Sequence, residues 1–156
     1  MSVGNAIYLD DLHVDQTFSS GEFPLDAQQI IDFARQFDPQ PFHLDDAAAR
    51  GTFFKGLAAS GWHTAAITMR LLTECLPIGS GVIGAGGDIQ WPRPTRPDDV
   101  LHVVCKILEI QPSKSKPDRA MVTTECLTLN QHDEVCQRMV SKLLVMRRPS
   151  EPGTPA

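Results

Sequence analysis

The chain has 156 residues, 42% of them hydrophobic, and a formal net charge of -5. That is enough apolar material for one core, expected as one domain over residues 1 to 148. The negative balance speaks against a phosphate-binding surface, so neither nucleic acid nor an anionic membrane is an expected partner. Met1 to Gln16 has no basic start and no apolar run and carries Asp10, Asp11 and Asp15, unlike a signal peptide. No stretch reaches the length of a membrane-spanning helix, and the expectation is a cytoplasmic protein. Cys75, Cys105, Cys126 and Cys136 are far apart in sequence and form no CxxC. Reduced core thiols fit this better than disulfides or metal ligands.

Thr17 to Pro24 reads as a first strand. Asp26 and Gln29 have the spacing of a capping box, and Ala27, Ile30, Ile31, Ala34 and Phe37 recur at helical spacing, so a helix runs from Asp26 to Phe37. Pro39 and Pro41 then frame a short loop. A brief alanine-rich helix follows from Asp45 or Asp46 to Arg50. Ser60 caps a longer helix on which Trp62, Ala65, Ala66, Met69 and Leu72 mark one face until Pro77 blocks it. Ile67 and Leu71 add apolar surface on another side, so this helix must be wrapped, and a curved sheet is the obvious wrapper. Val82 to Trp91, Val100 to Ile110, Arg119 to Leu129 and Val135 to Arg147 read as strands, the last three joined by polar turns. The pattern is α+β, helices against an antiparallel sheet. Pro149 to Ala156 reads as a flexible tail.

Two segments could carry chemistry. In the first, Pro39 pushes Asp38 out of helical geometry and Pro41 stiffens the approach to His43, so a carboxylate and an imidazole share one rigid loop. Asp38 also ends a helix, where the dipole disfavours an anion; a raised pKa is expected, which suits a general acid or base. Either residue alone would be an ordinary turn former or a satisfied histidine. Asp45 and Asp46, by contrast, sit where they can cap the next helix. In the second segment, Gly61 opens the long helix, where free backbone N–H groups can hold an oxygen bearing negative charge. The competing reading is that Gly61 only permits close packing.

Gly79 to Gly84 satisfies GxGxxG, but it follows a helix and leads into a strand, the reverse of a dinucleotide site. It reads as a turn, with Gly86 and Gly87 permitting a bulge or close backbone approach. His63 reads as a core or interface histidine more readily than a site residue. Trp91 is open to two readings, core anchor or site wall. Arg93, Arg96 and Lys55 are candidates for contacts to phosphate and otherwise ordinary surface charges.

Asp38-Pro39-Gln40-Pro41-Phe42-His43-Leu44-Asp45 resembles the hydratase motif of the MaoC-like dehydratases and (R)-specific enoyl-CoA hydratases, in which Asp and His stand five positions apart. Gln40 stands where that family usually has Asn, and Phe37 where glycine is common. Ala59 to Thr64 resembles the family's helix entry, and Ile89 to Asp99 its strand-then-loop segment. The resemblance implies a hot-dog fold, a homodimer, and an acyl-CoA substrate reaching a tunnel between subunits. It implies catalytic roles for Asp38 and His43, an oxyanion role for the Gly61 N–H, and substrate-side roles for Ser60, Gln40 and Trp91. No metal and no cofactor beyond the CoA thioester itself is expected. The implied reaction interconverts a trans-2-enoyl-CoA and an (R)-3-hydroxyacyl-CoA. A hot-dog thioesterase and a non-catalytic acyl-CoA-binding domain are the alternatives. For the thioesterase, Glu74 is the only carboxylate on the central helix, and it stands far from Gly61.

Overall fold

The computed structural model describes residues 6 to 150. Its elements are β1 (Thr17–Ser19), β2 (Phe23–Pro24), α1 (Ala27–Phe37), α2 (Pro41–Leu44), α3 (Asp46–Ala49), α4 (Gly61–Cys75), β3 (Ile83–Gln90), β4 (Val100–Pro112), β5 (Arg119–Leu129) and β6 (Val135–Met146). The strands form one antiparallel sheet in the order β1-β4-β5-β6-β3, with β2 also on β4. β4 to β6 are the expected meander. Along β5 buried and half-buried positions alternate strictly, so Ala120, Val122, Thr124, Cys126 and Thr128 all face inward, as the two-residue period of a strand requires. The architecture is the expected α+β hot-dog, a curved sheet around the helix α4.

The capping box forms as expected, with the Asp26 carboxylate accepting from the Gln29 N–H at 2.8 Å and the Gln29 side chain accepting from the Asp26 N–H at 2.9 Å. The predicted first strand is broken in two. The Ser20 hydroxyl accepts from the Val103 N–H at 2.8 Å, taking the place of a backbone carbonyl, and the chain re-pairs as β2 against Val100 and Leu101. The bulge expected in the glycine run lies between Gly84 and Gly86, and a methyl group on Gly87 would stand 2.6 Å from the Val140 carbonyl oxygen. Cys105 and Cys126 are register partners with their Sγ atoms 3.2 Å apart, both free thiols. The tail expected to be flexible falls, from residue 151 onward, outside the described residues.

The sheet-facing side of α4 differs from the one its apolar pattern suggests. His63, Thr64, Ile67, Thr68, Leu71 and Leu72 are buried, while Trp62 and Met69 are 60% and 42% exposed. Threonines at i and i+4 can take the sheet side because each hydroxyl is bonded there: Thr64 donates to Thr95 Oγ1 at 3.0 Å, and Thr68 meets the Thr128 hydroxyl and the Gln137 amide. Buried polar groups are tolerated on those terms. The apolar stripe of Trp62, Ala66 and Met69 is thereby left facing outward.

His63 packs against α1, its ring stacked on Phe33 with centroids 4.5 Å apart and planes 3° from parallel. Its Nδ1 is buried with no hydrogen-bond partner among the described residues, and burial holds its pKa below the ordinary histidine value. A group depressed in the folded state binds protons more readily when unfolded, so its contribution is whole above the unfolded value, about 6.5, and is lost as pH falls through the folded value. His63→Phe keeps the stacking and removes the titration. Its melting temperature should therefore decline less between about pH 7 and pH 5 than that of the native chain, as measured by thermal denaturation; an unchanged decline would mean that His63 contributes nothing to the pH dependence.

Candidate active site

α1 stops at Phe37 because Pro39 cannot follow in helical geometry. Asp38, at φ -155° and ψ 67°, still donates its N–H to the Ala34 carbonyl at 2.9 Å. Pro41 opens a four-residue helix, not the loop expected from sequence, since a proline at the first helical position gives up an N–H that would have no partner anyway. His43 rides on that turn and is buried. Its Nδ1 lies 2.6 Å from the Ala58 carbonyl oxygen; a carbonyl only accepts, so Nδ1 carries a proton, and Nε2 is turned toward Asp38 Oδ2, 3.3 Å away, which can accept a hydrogen bond from a second ring proton.

The Asp38 carboxylate has donors on both oxygens, the Ser60 hydroxyl on Oδ2 at 2.7 Å and the Gln40 amide on Oδ1. Burial is the largest single influence on its pKa and pushes it up. The Ser60 and Gln40 hydrogen bonds and the His43 charge together outweigh burial and hold it below the ordinary aspartate value. The expected raised pKa is thus corrected: the helix end is unfavourable to the anion, but two side-chain donors favour it more. At neutral pH Asp38 is an acceptor.

Ser60 joins this acid to α4. Its hydroxyl accepts from the Trp62 N–H at 3.2 Å as the helix cap while donating to Asp38. The next N–H, that of Gly61, has no acceptor among the described residues and borders a cavity of about 450 Å³ that Asp38 and His43 also line. Phe53, Phe54, Trp62, Trp91 and the segment Pro92 to Thr95 complete the walls. Both readings of Gly61 hold together, because a methyl group there would lie 2.6 to 2.8 Å from three atoms of the Trp91 indole. Trp91 likewise satisfies both of its readings: one face lines the cavity, and its Nε1 donates inward to Gln137 Oε1 at 3.0 Å.

The remaining candidates do not join the site's chemistry. Arg96 donates to the carbonyls of Phe54, Gly56 and Leu57, fixing the loop that leads to Ser60. Arg93 lines the cavity but is ion-paired with Glu134 at 2.7 Å. Lys55 is exposed at φ 57°. Glu74 pairs with Arg70 at 3.5 Å on exposed helix surface and does not line the cavity. Among the described residues no three His, Cys, Asp or Glu side chains group as metal ligands. Gln137 was not legible in the sequence as a site residue, since it lies on a distant strand; Phe53 and Phe54 gave a faint signal as adjacent aromatics in a loop.

The family model of the MaoC like domain matches residues 11 to 129. The chain belongs to the MaoC-like family. An uncharacterized protein of Bacillus subtilis, YdeM, is 31% identical over 128 residues, spanning 80% of this chain and 89% of its own. Among solved structures, a MaoC-like dehydratase from Rhodospirillum rubrum is 57% identical, with TM-score 0.92 over 93% of this chain and all of its own. The R-hydratase PhaJ1 of Pseudomonas aeruginosa shares the fold at 24% identity, with TM-score 0.73 over 97% of this chain and 95% of its own.

In this MaoC-like chain the packing of Trp91 on Gly61 decides a sign. In an open helix start, glycine to alanine would stabilise by up to about 1 kcal/mol; against the indole, Gly61→Ala should destabilise by about 1 to 3 kcal/mol. Chemical denaturation should show that loss in the native background and its disappearance in Trp91→Ala. Stabilisation by Gly61→Ala alone would contradict the packing.

Proposed function

We propose that this chain is a hydro-lyase that interconverts trans-2-enoyl-CoA and (R)-3-hydroxyacyl-CoA. The observation that supports it most is the convergence of an ionised carboxylate, an imidazole with its Nε2 free to exchange a proton, and an unused helix N-terminal N–H on one cavity walled by aromatic rings.

In the hydration direction the Asp38 carboxylate takes a proton from water as the water oxygen bonds to C3. The C2=C3 electron pair moves toward the thioester carbonyl, whose oxygen gains negative charge beneath the Gly61 N–H. His43, acting as the imidazolium with a proton on each ring nitrogen, gives its Nε2 proton to C2 and the carbonyl re-forms. Asp38 then returns its proton to His43 Nε2 across the 3.3 Å between them. Water has been added, and the pair is back in its starting state. Gln40 and Ser60 hold the carboxylate in place throughout and keep it a base.

The reading includes a second copy of the chain. β3 is the last strand of the sheet, pairing on one side with β6, and Trp62, Met69 and Ile83 beside it are exposed. An open strand edge flanked by large apolar side chains is the kind of surface that oligomers cover, and the apolar stripe of α4 is continuous with it. Met69→Lys should convert a dimer to a monomer in sedimentation; a native chain that sediments as a monomer would sink this part.

The enzyme should bleach the absorbance of the conjugated enoyl thioester of crotonyl-CoA or a longer enoyl-CoA. Asp38→Asn and His43→Gln should each lower kcat by between about a hundredfold and ten-thousandfold, the usual range for a lost general acid or base, with melting temperatures close to native. No hydration at any chain length, or near-native turnover by either variant, would overturn the assignment.

A further inference from the structure

Gln137 is fully buried in β6, where a leucine or methionine would fill the space without a polar group to satisfy. Its carboxamide is oriented by its partners. The Trp91 indole N–H can only donate, so Oε1 faces it at 3.0 Å and Nε2 faces the Thr68 hydroxyl at 3.1 Å. Thr68 passes its own proton to the Thr64 carbonyl at 2.8 Å, leaving the Thr128 hydroxyl to donate to it. A directional chain thus runs from the backbone of α4 to the edge of Trp91. That indole lies flat against Gly61, the first residue of the same helix.

Trp91 also meets Trp62 edge-on, centroids 5.4 Å apart and planes at 82°. Trp62 lines both the catalytic cavity and a second, more apolar trough of about 450 Å³ between α4 and the β3–β6 edge, floored by Gly84, Gly86 and Gly87. The tryptophan pair therefore stands where the two spaces adjoin. Resting on the function proposed above, we infer that Gln137 is a positioning residue: it holds Trp91, and through it Trp62, as the end wall of the acyl site, so that the native substrate is a short-chain enoyl thioester. Gln137 touches no substrate. Its effect is on which acyl lengths fit.

The experiment is kcat/KM for crotonyl-CoA and for trans-2-octenoyl-CoA with the native chain, Gln137→Met, Trp91→Phe and the double variant. The native chain should prefer crotonyl-CoA. Either single substitution should raise the octenoyl-to-crotonyl ratio by about tenfold, the equivalent of one lost hydrogen bond. The double variant should add nothing further, because both remove the same interaction. The pH profile on crotonyl-CoA should stay native, since Asp38 and His43 are untouched. A purely structural role for Gln137 would lower both rates alike and leave the ratio unchanged, and that result, or a native preference for octenoyl-CoA, overturns the inference. Trp91→Phe carries the test if Gln137→Met does not fold. If the native chain hydrates neither substrate, the proposed reaction has failed. The wall is then judged by calorimetric binding of butyryl-CoA and octanoyl-CoA, where equal affinity or no binding by the native chain overturns it too.

Discussion

The hydroxyl of Ser60 is the joint on which the site depends. One oxygen caps α4 by accepting from Trp62 and holds Asp38 by donating its only proton, so the residue that starts the central helix also fixes the acid 22 positions earlier in the chain. Few side chains could do both. An aspartate would cap the helix and repel Asp38; an alanine would leave two groups without partners. The consequence for chemistry is that the Gly61 N–H and the Asp38 carboxylate are referred to the same atom, and their separation is set by a helix start and not by a mobile loop.

His43 is fixed from the opposite side. The Ala58 carbonyl accepts the Nδ1–H hydrogen bond, which fixes the orientation of the ring before any substrate arrives and leaves Nε2 for Asp38 and for substrate. The stretch from Ala58 to Gly61 therefore supplies, in four residues, the acceptor that orients the imidazole, the donor that holds the carboxylate, and the free N–H. A thioesterase would need a base or nucleophile directed at the carbonyl carbon; among the described residues Asp38 is the only carboxylate that lines the cavity, and it is already committed to Ser60, Gln40 and His43. That commitment supports the proposed proton transfer near C2 and C3 over attack at C1.

Much of this was legible in the sequence, and the misses have physical causes. The capping box at Asp26, the meander of β4 to β6, the wrapped helix and the Asp38–His43 spacing all rest on local patterns that the tertiary structure leaves intact. The facing of α4 was not legible, because Thr64 and Thr68 read as polar until Thr95, Thr128 and Gln137, brought from distant strands, satisfy them. The direction of the Asp38 pKa was read from its place at a helix end alone; the donors that reverse it are Gln40, two residues on, and Ser60, in another element. Gln137 offered no local signal, since its role depends on a partner 46 residues away.

In the proposed reaction Asp38, His43 and the Gly61 N–H act as one unit that moves a proton between water and the carbon beside a thioester. The most direct test is to run the reaction on crotonyl-CoA in deuterated water and follow it by NMR. One deuterium should appear at C2, on a single face, together with a hydroxyl at C3 of the (R) configuration and an intact thioester. Release of free CoA thiol with no label at C2 would contradict it.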